Sequence, residues 1–242
     1  MSEVKLVQMS ENPVGLMYLA ARNCYSVGGP FVLMKQIKDK SSEDMWKLVG
    51  SVLGSGHLSI AEHVYFTFAV EGLSRACLAQ ITRHRHASYS VQSQRYVEIK
   101  EDHAHVQNLY TACVGTGNST SVFDLCRILD KYFIGVDRQN FMTLAQILLQ
   151  YLSATQSGVK AEDARAILPN CTKTNMIISM NLRELAHIAE LRLCDRAQAE
   201  IRDMVQQMCD LVTAEQPLFK KLLAKPCVKY GKCKEAHPCT EK

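Results

Sequence analysis

The sequence predicts a single α+β domain, and three observations support this fold class. Strand-like segments are mixed with segments of helical spacing, but the two kinds do not follow the regular alternation that a doubly wound sheet requires. The 242 residues contain no internal repeat and no linker rich in Gly, Pro or Ser. A hydrophobic content of 47%, with 21% charged residues, is ordinary for a globular chain that buries a core. We expect one domain over residues 1–242, with a polar, cysteine-containing tail from about residue 226.

Local signals define the elements of the first third of the chain. Asn12 and Pro13 are typical of a helix cap and a first helical turn. The segment SSED is a typical capping segment, and EHVYFTFAV has the aromatic and β-branched composition of a strand. The predicted elements are a strand over 3–9, helices over 12–26 and 31–53, a strand over 62–70, and a helix over 73–82 that runs directly into Arg83.

The patterns are weaker in the middle of the chain and clearer again towards its end. RYVEIK predicts a strand over 95–100, and VGTGNST predicts a loop over 114–120. The remaining elements follow from apolar periodicity. They are helices over 121–132, 138–156 and 161–167, a strand over 174–180, and helices over 182–191 and 196–213 with a break near Arg192.

Positive charge is concentrated in one part of the chain. The net charge of +4 is too small for a general nucleic-acid binder. From Gly72 to Val97, however, there is no Asp or Glu, and four arginines fall inside this window: Arg75, Arg83, Arg85 and Arg95. Such clustering indicates a specific anionic ligand.

The cysteines indicate a reducing compartment. Seven of the ten are scattered singly among apolar residues, which is typical of reduced thiols rather than of a disulfide framework. The N-terminus lacks the plan of a signal peptide, and no apolar run approaches the roughly 20 residues that span a bilayer. We expect a cytoplasmic protein. In the tail, Cys227, Cys233, His237 and Cys239 have ligand chemistry, but the five-residue gap between the first two exceeds zinc-site spacing, so we expect no metal.

The segment RHRHASYSVQSQR has the composition of an anion site. Arg83 and Arg85, placed just past a helix end, can converge on a ligand, and the planar guanidinium suits phosphate and carbonyl oxygens. The serines at 88, 90 and 93 supply hydroxyls and permit close backbone approach, so SYSVQSQR is interpreted as a phosphate-gripping loop. A solvated basic loop would have the same composition, and both interpretations stay open at this point.

Three further polar segments favour a ligand. GSGHLSIAEH places His57, Ser59, Glu62 and His63 directly before the best strand, although a capped turn would explain them too. Arg165 lies on a helix that otherwise reads as buried, where a snorkelling side chain is the other explanation. Asn181, His187 and Arg192 lie among apolar residues, where each needs a partner. Together these segments suggest one or more polyanionic ligands.

Other functions fit the sequence less well. A nucleophilic site would use Ser93 with His57, His84 or His86, but no nucleophile elbow or orienting acid is present. A nucleic-acid module would need more aromatic residues among the arginines than Tyr89 and Tyr96. The chain has neither a Gly-rich dinucleotide fingerprint nor a P-loop.

Several spaced motifs resemble those of the flavin-dependent thymidylate synthases. R-H-R, seven residues and then S fits Arg83, His84, Arg85 and Ser93. GHLSIAEH, FTF, AQITRHR, RAILP and NLRELAHIAELRL resemble further motifs of that family in the right order. The resemblance runs from about Arg22 to about Glu200.

The resemblance implies both a fold and a reaction. The fold is a central, mostly antiparallel sheet flanked by helices, assembled as a homotetramer whose active sites are shared between subunits. The reaction is reductive methylation of dUMP to dTMP, with methylenetetrahydrofolate as the carbon donor and tetrahydrofolate as its product. NADPH reduces a non-covalently bound FAD, which relays the methylene group, so that no enzyme nucleophile attacks the uracil. The partners are therefore small molecules and further copies of the chain, with no nucleic acid and no membrane. The alternative is a flavoprotein reductase without methyl transfer, which would bind FAD but would not need Gln80 and Arg192.

The resemblance also implies roles for individual residues. Arg192 matches the arginine that polarises the uracil and helps ionise its ring nitrogen at position 3. The implied dUMP contacts are Gln80, Arg83, Gln92, Ser93, Gln94, Arg95, Arg165 and Arg192. The implied FAD contacts are His57, Ser59, Arg83, His84, Arg85, His86, Asn181 and His187. The chain departs from the family pattern at Ser90, where Asn is usual, and at Val91, where Glu is frequent and only the backbone can contact dUMP.

Overall fold

The computed structural model describes residues 2–116, 119–233, 235, 236, 238 and 239, and these residues form two compact units. The first unit comprises residues 71–80 and 91–176. The second comprises residues 2–70, 81–90 and those from 177 onward. Within the described part of the chain, no helix is long and apolar enough to cross a membrane.

The strands form one four-stranded antiparallel sheet. They are β1 (Glu3–Met9), β2 (Tyr65–Ser74), β3 (Ala87–Val91) and β4 (Lys173–Asn181), in the spatial order β1–β2–β4–β3. Burial alternates along the strands, as Phe66 and Phe68 of β2 and Ile178 of β4 are buried. The α+β class and the antiparallel sheet are therefore confirmed.

The helices account for most of the remaining chain. They are α1 (Pro13–Asn23), α2 (Gly29–Gln36), α3 (Ser42–Gly54), α4 (Arg75–Ile81), α5 (His103–Thr116), α6 (Ser119–Tyr132), α7 (Phe141–Gln156), α8 (Ala161–Ala164), α9 (Leu182–Arg192), α10 (Ala199–Glu215) and α11 (Pro226–Tyr230). Single 3₁₀ turns occupy Ile37–Asp39, Leu58–His63, Arg165–Ile167 and Pro217–Phe219.

Each unit has its own apolar packing. In the first unit, α5, α6 and α7 pack together over a core that includes Leu125, Leu129 and Leu148. In the second unit, α1 packs on α3, and α10 packs on β1 and α9. Gln207 of α10 ties the N-terminal strand to this unit, because its Oε1 accepts a hydrogen bond of 3.2 Å from the Val4 amide.

The predicted start of the first helix is confirmed. Asn12 adopts a left-handed conformation with φ 44°, and its Oδ1 accepts a hydrogen bond of 3.0 Å from the Gly15 amide. A Cβ on residue 15 would lie 2.3 Å from the Asn12 side chain, so the cap requires glycine there. Pro13 begins α1, where its missing N–H costs nothing.

The single helix predicted over 31–53 is wrong. Two helices, α2 and α3, occupy this region, and a 3₁₀ turn lies between them. Ser41 explains the break, because its hydroxyl accepts a hydrogen bond of 3.1 Å from the Asp44 amide and so caps a new helix. The capping segment was recognised in the sequence, but it begins a helix instead of lying inside one.

The middle of the chain holds the other differences. The strand predicted over 95–100 is absent, since the Val97 amide donates to the Ser93 carbonyl and the Ile99 amide donates to the Tyr151 hydroxyl. The helix α5 and the strand β3 were not predicted. Of the loop predicted over 114–120, residues 117 and 118 lie outside the described chain, and the flanking residues belong to α5 and α6.

Candidate active site

The RHR segment follows the end of α4, as predicted. Ile81 ends that helix, and in the turns beyond it His84 is buried while Arg83, Arg85 and His86 are exposed. These three side chains make no hydrogen bond or ion pair with any described residue. The charges of Arg83 and Arg85 are therefore not neutralised within the described chain.

The interpretation of SYSVQSQR as a loop is only half right. Its first four residues belong to β3, and the loop begins after Val91. Ser88 and Ser90 lie on the exposed side of the strand, and Ser93 lies in the segment beyond it. A serine-rich sequence lacks the apolar alternation by which strands are recognised, which is why β3 was missed.

The first unit contains a cavity of about 220 Å³ lined by three predicted dUMP contacts. Gln92, Ser93 and Gln94 all face it. Gln92 is fixed by Asn175, because its amide donates to the Asn175 carbonyl at 2.9 Å and its Oε1 accepts from the Asn175 Nδ2 at 3.2 Å. The Ser93 hydroxyl accepts a hydrogen bond of 3.1 Å from the Arg95 amide.

Arg75 also lines this cavity and was not among the predicted contacts. Its Nη2 donates to the Gln92 carbonyl at 3.2 Å, but its Nε is buried and finds no hydrogen-bond partner among the described residues. Burial, and then the charge of Arg165, lower the pKa of Arg75. Its position in the acid-free window was the signal that could have identified it.

Two other predicted dUMP contacts of the first unit meet at Glu162. The Arg95 Nε donates to the Glu162 carboxylate at 2.8 Å, and the Arg165 Nε donates to the Glu162 carbonyl at 3.1 Å. A carboxylate from α8 therefore pairs with Arg95, one of the four arginines in the window that has no acidic residues. Gln80, on α4, donates to the Ala76 carbonyl at 3.4 Å.

In the second unit, a buried histidine joins two segments of the chain. His84 is only 5% exposed, and its Nε2 accepts a hydrogen bond of 3.0 Å from the Arg192 Nε. Its Nδ1 lies 3.8 Å from the carboxylate of Glu184, which is buried as well. The ring of His187 meets it edge-on at 5.9 Å. Three residues of α9 therefore surround one imidazole.

This arrangement fixes the protonation of His84. Arginine has no acceptor, so Nε2 must be unprotonated and the proton of the neutral ring lies on Nδ1, facing Glu184. Burial is the main cause that lowers the pKa of His84 to about 4, followed by the charges of Arg192 and His187. Glu184 alone would favour the imidazolium, but burial, together with the neighbouring Arg192 and His187, outweighs it.

A larger cavity, of about 1110 Å³, lies in the second unit. Among the predicted FAD contacts, His86, Asn181 and His187 line it. Asn181 also caps α9, because its Oδ1 accepts a hydrogen bond of 2.9 Å from the Glu184 amide. The apolar part of the cavity wall includes Trp46, Leu58, Leu218 and Leu222. His57, Ser59, Arg83 and Arg85 belong to the same unit but do not line the cavity.

The C-terminal segment supplies part of this cavity wall, which the sequence did not indicate. Lys221, Lys229 and Tyr230 all line it. The Tyr230 hydroxyl donates to the Glu190 carboxylate at 3.2 Å, and the Lys229 Nζ lies 3.9 Å from the same group. The tail therefore begins as a packed helix, α11, held on α9.

The tail cysteines form no cluster that the structure describes. Cys239 lies 3.7 Å from the Asp195 carboxylate, and His237 falls outside the described residues. Among the described residues, no group of three or more His, Cys, Asp or Glu side chains is placed to hold a metal ion.

Two cavities with polar and apolar lining are typical of a ligand-binding protein, and comparisons with known proteins identify its family. The profile of the family described as "Thymidylate synthase complementing protein" matches residues 5–218. A flavin-dependent thymidylate synthase of Geobacter sulfurreducens is 35% identical over 235 residues, which cover 96% of this chain and 91% of the relative. One of Pyrococcus furiosus is 37% identical over 203 residues, covering 81% and 75% respectively.

The fold comparison agrees. The crystal structure of thymidylate synthase X from Helicobacter pylori with FAD and dUMP superposes with a TM-score of 0.68 at 25% identity, covering 92% of this chain and 99% of that one. The chain belongs to the flavin-dependent thymidylate synthase family. The resemblance drawn from the motifs is confirmed.

The neutral state of His84 predicts acid lability. The unfolded ring takes up a proton below a pKa of 6.5, whereas the folded ring does so only near 4, so the stability that His84 contributes above pH 6.5 is lost as the pH falls towards 4. Relative to His84→Gln, the wild type should lose roughly 3 kcal/mol of unfolding free energy between pH 7 and pH 4. Urea unfolding of both proteins across this range measures the difference.

The exposed His105 offers the matched control. His105→Gln should follow the wild type closely, because this side chain is exposed and takes no part in the contacts of His84. If the curves of the wild type and His84→Gln run parallel from pH 7 to pH 4, the ring of His84 is not held neutral by the fold.

Proposed function

We propose that this chain is a flavin-dependent thymidylate synthase, which converts dUMP to dTMP with methylenetetrahydrofolate as the carbon donor and NADPH as the reductant. The family match over residues 5–218 carries this proposal. Tetrahydrofolate is the second product. The enzyme is a methyltransferase, which we place in the cytoplasm as one domain over residues 1–242.

The residues around the cavity of the second unit fit FAD. Apolar side chains such as Trp46 and Leu222 suit a ring system, while Asn181, His86 and His187 offer polar groups beside it. We assign FAD to this cavity, non-covalently bound, with His57, Ser59, Arg83, Arg85 and the main chain of His84 as further contacts. When bound, FAD supplies the redox chemistry and relays the methylene carbon to the uracil.

The cavity of the first unit suits a phosphate-bearing ligand. Gln92, Ser93 and Gln94 line it, and Arg75 contributes a guanidinium that the chain satisfies only in part. We assign these residues to dUMP, with Gln80, Arg83, Arg95, Arg165 and Arg192 as its other contacts. At Val91 the side chain is apolar, so only its backbone takes part.

Arg192 carries the electrostatic part of the mechanism. It lies in the last turn of α9, where the helix dipole favours a cation, and His84 holds its Nε. A cation fixed beside the uracil stabilises negative charge on the ring, including that of an ionised ring nitrogen at position 3, without transferring a proton. No nucleophile of the protein is required.

Arg192→Ala tests this role. If Arg192 stabilises charge that develops in the transition state, its loss should appear in turnover and cost about 3 kcal/mol, or roughly a hundredfold in rate. Arg192→Lys should recover little, because lysine lacks the planar fork. Bound flavin, NADPH oxidation, dUMP-dependent tritium release from the uracil ring and dTMP formation are measured side by side.

Each readout separates one alternative. A wild-type preparation that lacks a flavin spectrum would remove the proposed function, and flavin without tritium release would indicate a reductase. Bound flavin in Arg192→Ala should stay near the wild-type level. Normal dTMP formation by Arg192→Ala would exclude Arg192 from the mechanism, and joint loss of flavin and activity would make it a structural residue.

Ser93 is expected to bind dUMP and to form no covalent intermediate. Its hydroxyl accepts from the Arg95 amide, and among the described residues no base is hydrogen-bonded to it. Ser93→Ala should weaken dUMP binding about tenfold, the value of one hydrogen bond to a charged group, and leave turnover detectable. Isothermal titration and steady-state kinetics measure the two effects. A uracil adduct trapped on Ser93 would contradict this assignment.

We further propose a homotetramer with active sites shared between subunits. The predicted ligand contacts are distributed over several segments in both units, and Arg83 and Arg85 are exposed without a partner among the described residues. Light scattering should give four times the 27.2 kDa chain mass, and dissociation should release FAD. A stable, active monomer saturated with FAD would contradict this assembly.

A further inference from the structure

Both ring nitrogens of His84 face other groups of the protein. Nε2 accepts from the Arg192 Nε at 3.0 Å, and Nδ1 faces the Glu184 carboxylate at 3.8 Å. With 5% of the residue exposed, little of the ring is open to a ligand. The motif assigns the whole residue to flavin, but these contacts give the ring another partner.

We propose that the ring of His84 is a positioning residue for Arg192, whose guanidinium plane it fixes by accepting the Nε hydrogen. This inference rests on the proposed function, in which Arg192 acts on the uracil. It concerns the ring of His84 alone and is compatible with a main-chain contact to flavin.

A neutral acceptor suits this task better than a carboxylate would. A carboxylate at Nε would hold the guanidinium but would also offset its charge, which is the property that the uracil requires. Neutral imidazole supplies the hydrogen bond and leaves the charge of Arg192 intact at this contact. Glu184 lies behind the ring, 3.8 Å from Nδ1, where its charge favours a proton on that nitrogen and so leaves Nε2 free to accept.

The surroundings of His84 fix both its backbone and its ring. The Tyr89 hydroxyl contacts the carbonyls of Ile81 and His84 at 2.7 and 2.8 Å, which holds the main chain after α4. Glu184 is itself buried at the first turn of α9, and the His187 ring closes one edge of the imidazole. The acceptor is therefore rigid, as a side chain that orients another must be.

Two substitutions separate positioning from simple packing. His84→Gln keeps an acceptor close to the place of Nε2, whereas His84→Leu keeps apolar volume but removes the acceptor. We expect His84→Leu to lower kcat for dTMP formation about 10- to 30-fold, to change KM for dUMP less than about threefold, and to keep bound flavin near the wild-type level. His84→Gln should recover at least about a third of the wild-type kcat. His105→Leu, at an exposed histidine, is the matched control.

A double-mutant cycle tests whether His84 acts through Arg192. In the Arg192→Ala background, His84→Leu should cause less than about a twofold further loss of kcat, because the residue it positions is gone. Losses that multiply in the double variant would overturn the proposal. So would equal activities of His84→Gln and His84→Leu, or loss of flavin together with activity in both.

A second measurement does not depend on turnover. In wild-type protein labelled with ¹⁵N at histidine, solid-state NMR at pH 6 should detect one neutral ring protonated on Nδ1, absent from His84→Gln and perturbed in Arg192→Ala. A ring protonated on Nε2 would overturn the proposal even if the enzyme is active. Failure of the wild type to form dTMP, with the expected NMR signals present, would instead reject the proposed function and leave the contact established.

Discussion

A neutral imidazole can hold a guanidinium in place without adding a negative charge beside it, and the hydrogen bond between His84 and Arg192 is a contact of this kind. Burial of His84 lowers its pKa to about 4, so the ring stays neutral at physiological pH. A neutral ring can accept from Nε and still leave the charge of the guanidinium available. The capped start of α9, its buried Glu184 and the turn after α4 all contribute to placing these two side chains 3.0 Å apart.

The need for a neutral acceptor at Arg192 is consistent with the deep burial of His84. An imidazolium beside Arg192 would repel it, so a solvated histidine would hold the arginine only above its ordinary pKa. Burial moves the protonation of His84 well below that range. The folded state consequently loses stability at acid pH, because His84 takes up a proton in the unfolded chain that it does not take up in the folded chain.

Local chemistry was predictable from the sequence wherever one short segment decides the structure. Asn12 and Pro13 defined the start of α1, and the aromatic run defined β2. The errors arose where distant residues decide. The Ile99 amide is satisfied by the Tyr151 hydroxyl, a contact across 52 positions, so a strand-like segment has no strand to pair with. In β3, sheet pairing overrides a serine-rich sequence that lacks an apolar face.

In the candidate site, too, local motifs were predictable and contacts between distant residues were not. The motifs were enough to propose site residues such as Arg83, His84, Ser93 and Arg192, because these lie in recognisable spacing. They could not reveal that Glu162, 67 positions away, pairs with Arg95, or that Glu184, 100 positions away, lies beside His84. Charge balance of this kind is a property of the folded chain.

The two kinds of arginine in the structure therefore differ in what holds them. Arg95 meets a carboxylate that is 35% exposed at its side chain, a contact that solvent weakens and that a phosphate can replace at little cost. Arg192 meets a ring that is almost fully buried, so solvent weakens this contact less. Exchangeable partners suit an arginine that binds and releases a nucleotide, whereas a permanent partner suits one whose charge must be in the same place at every turnover. On this argument, the roles proposed for Arg192 in the reaction and for Arg95 in binding are matched by a difference in the groups that hold the two side chains.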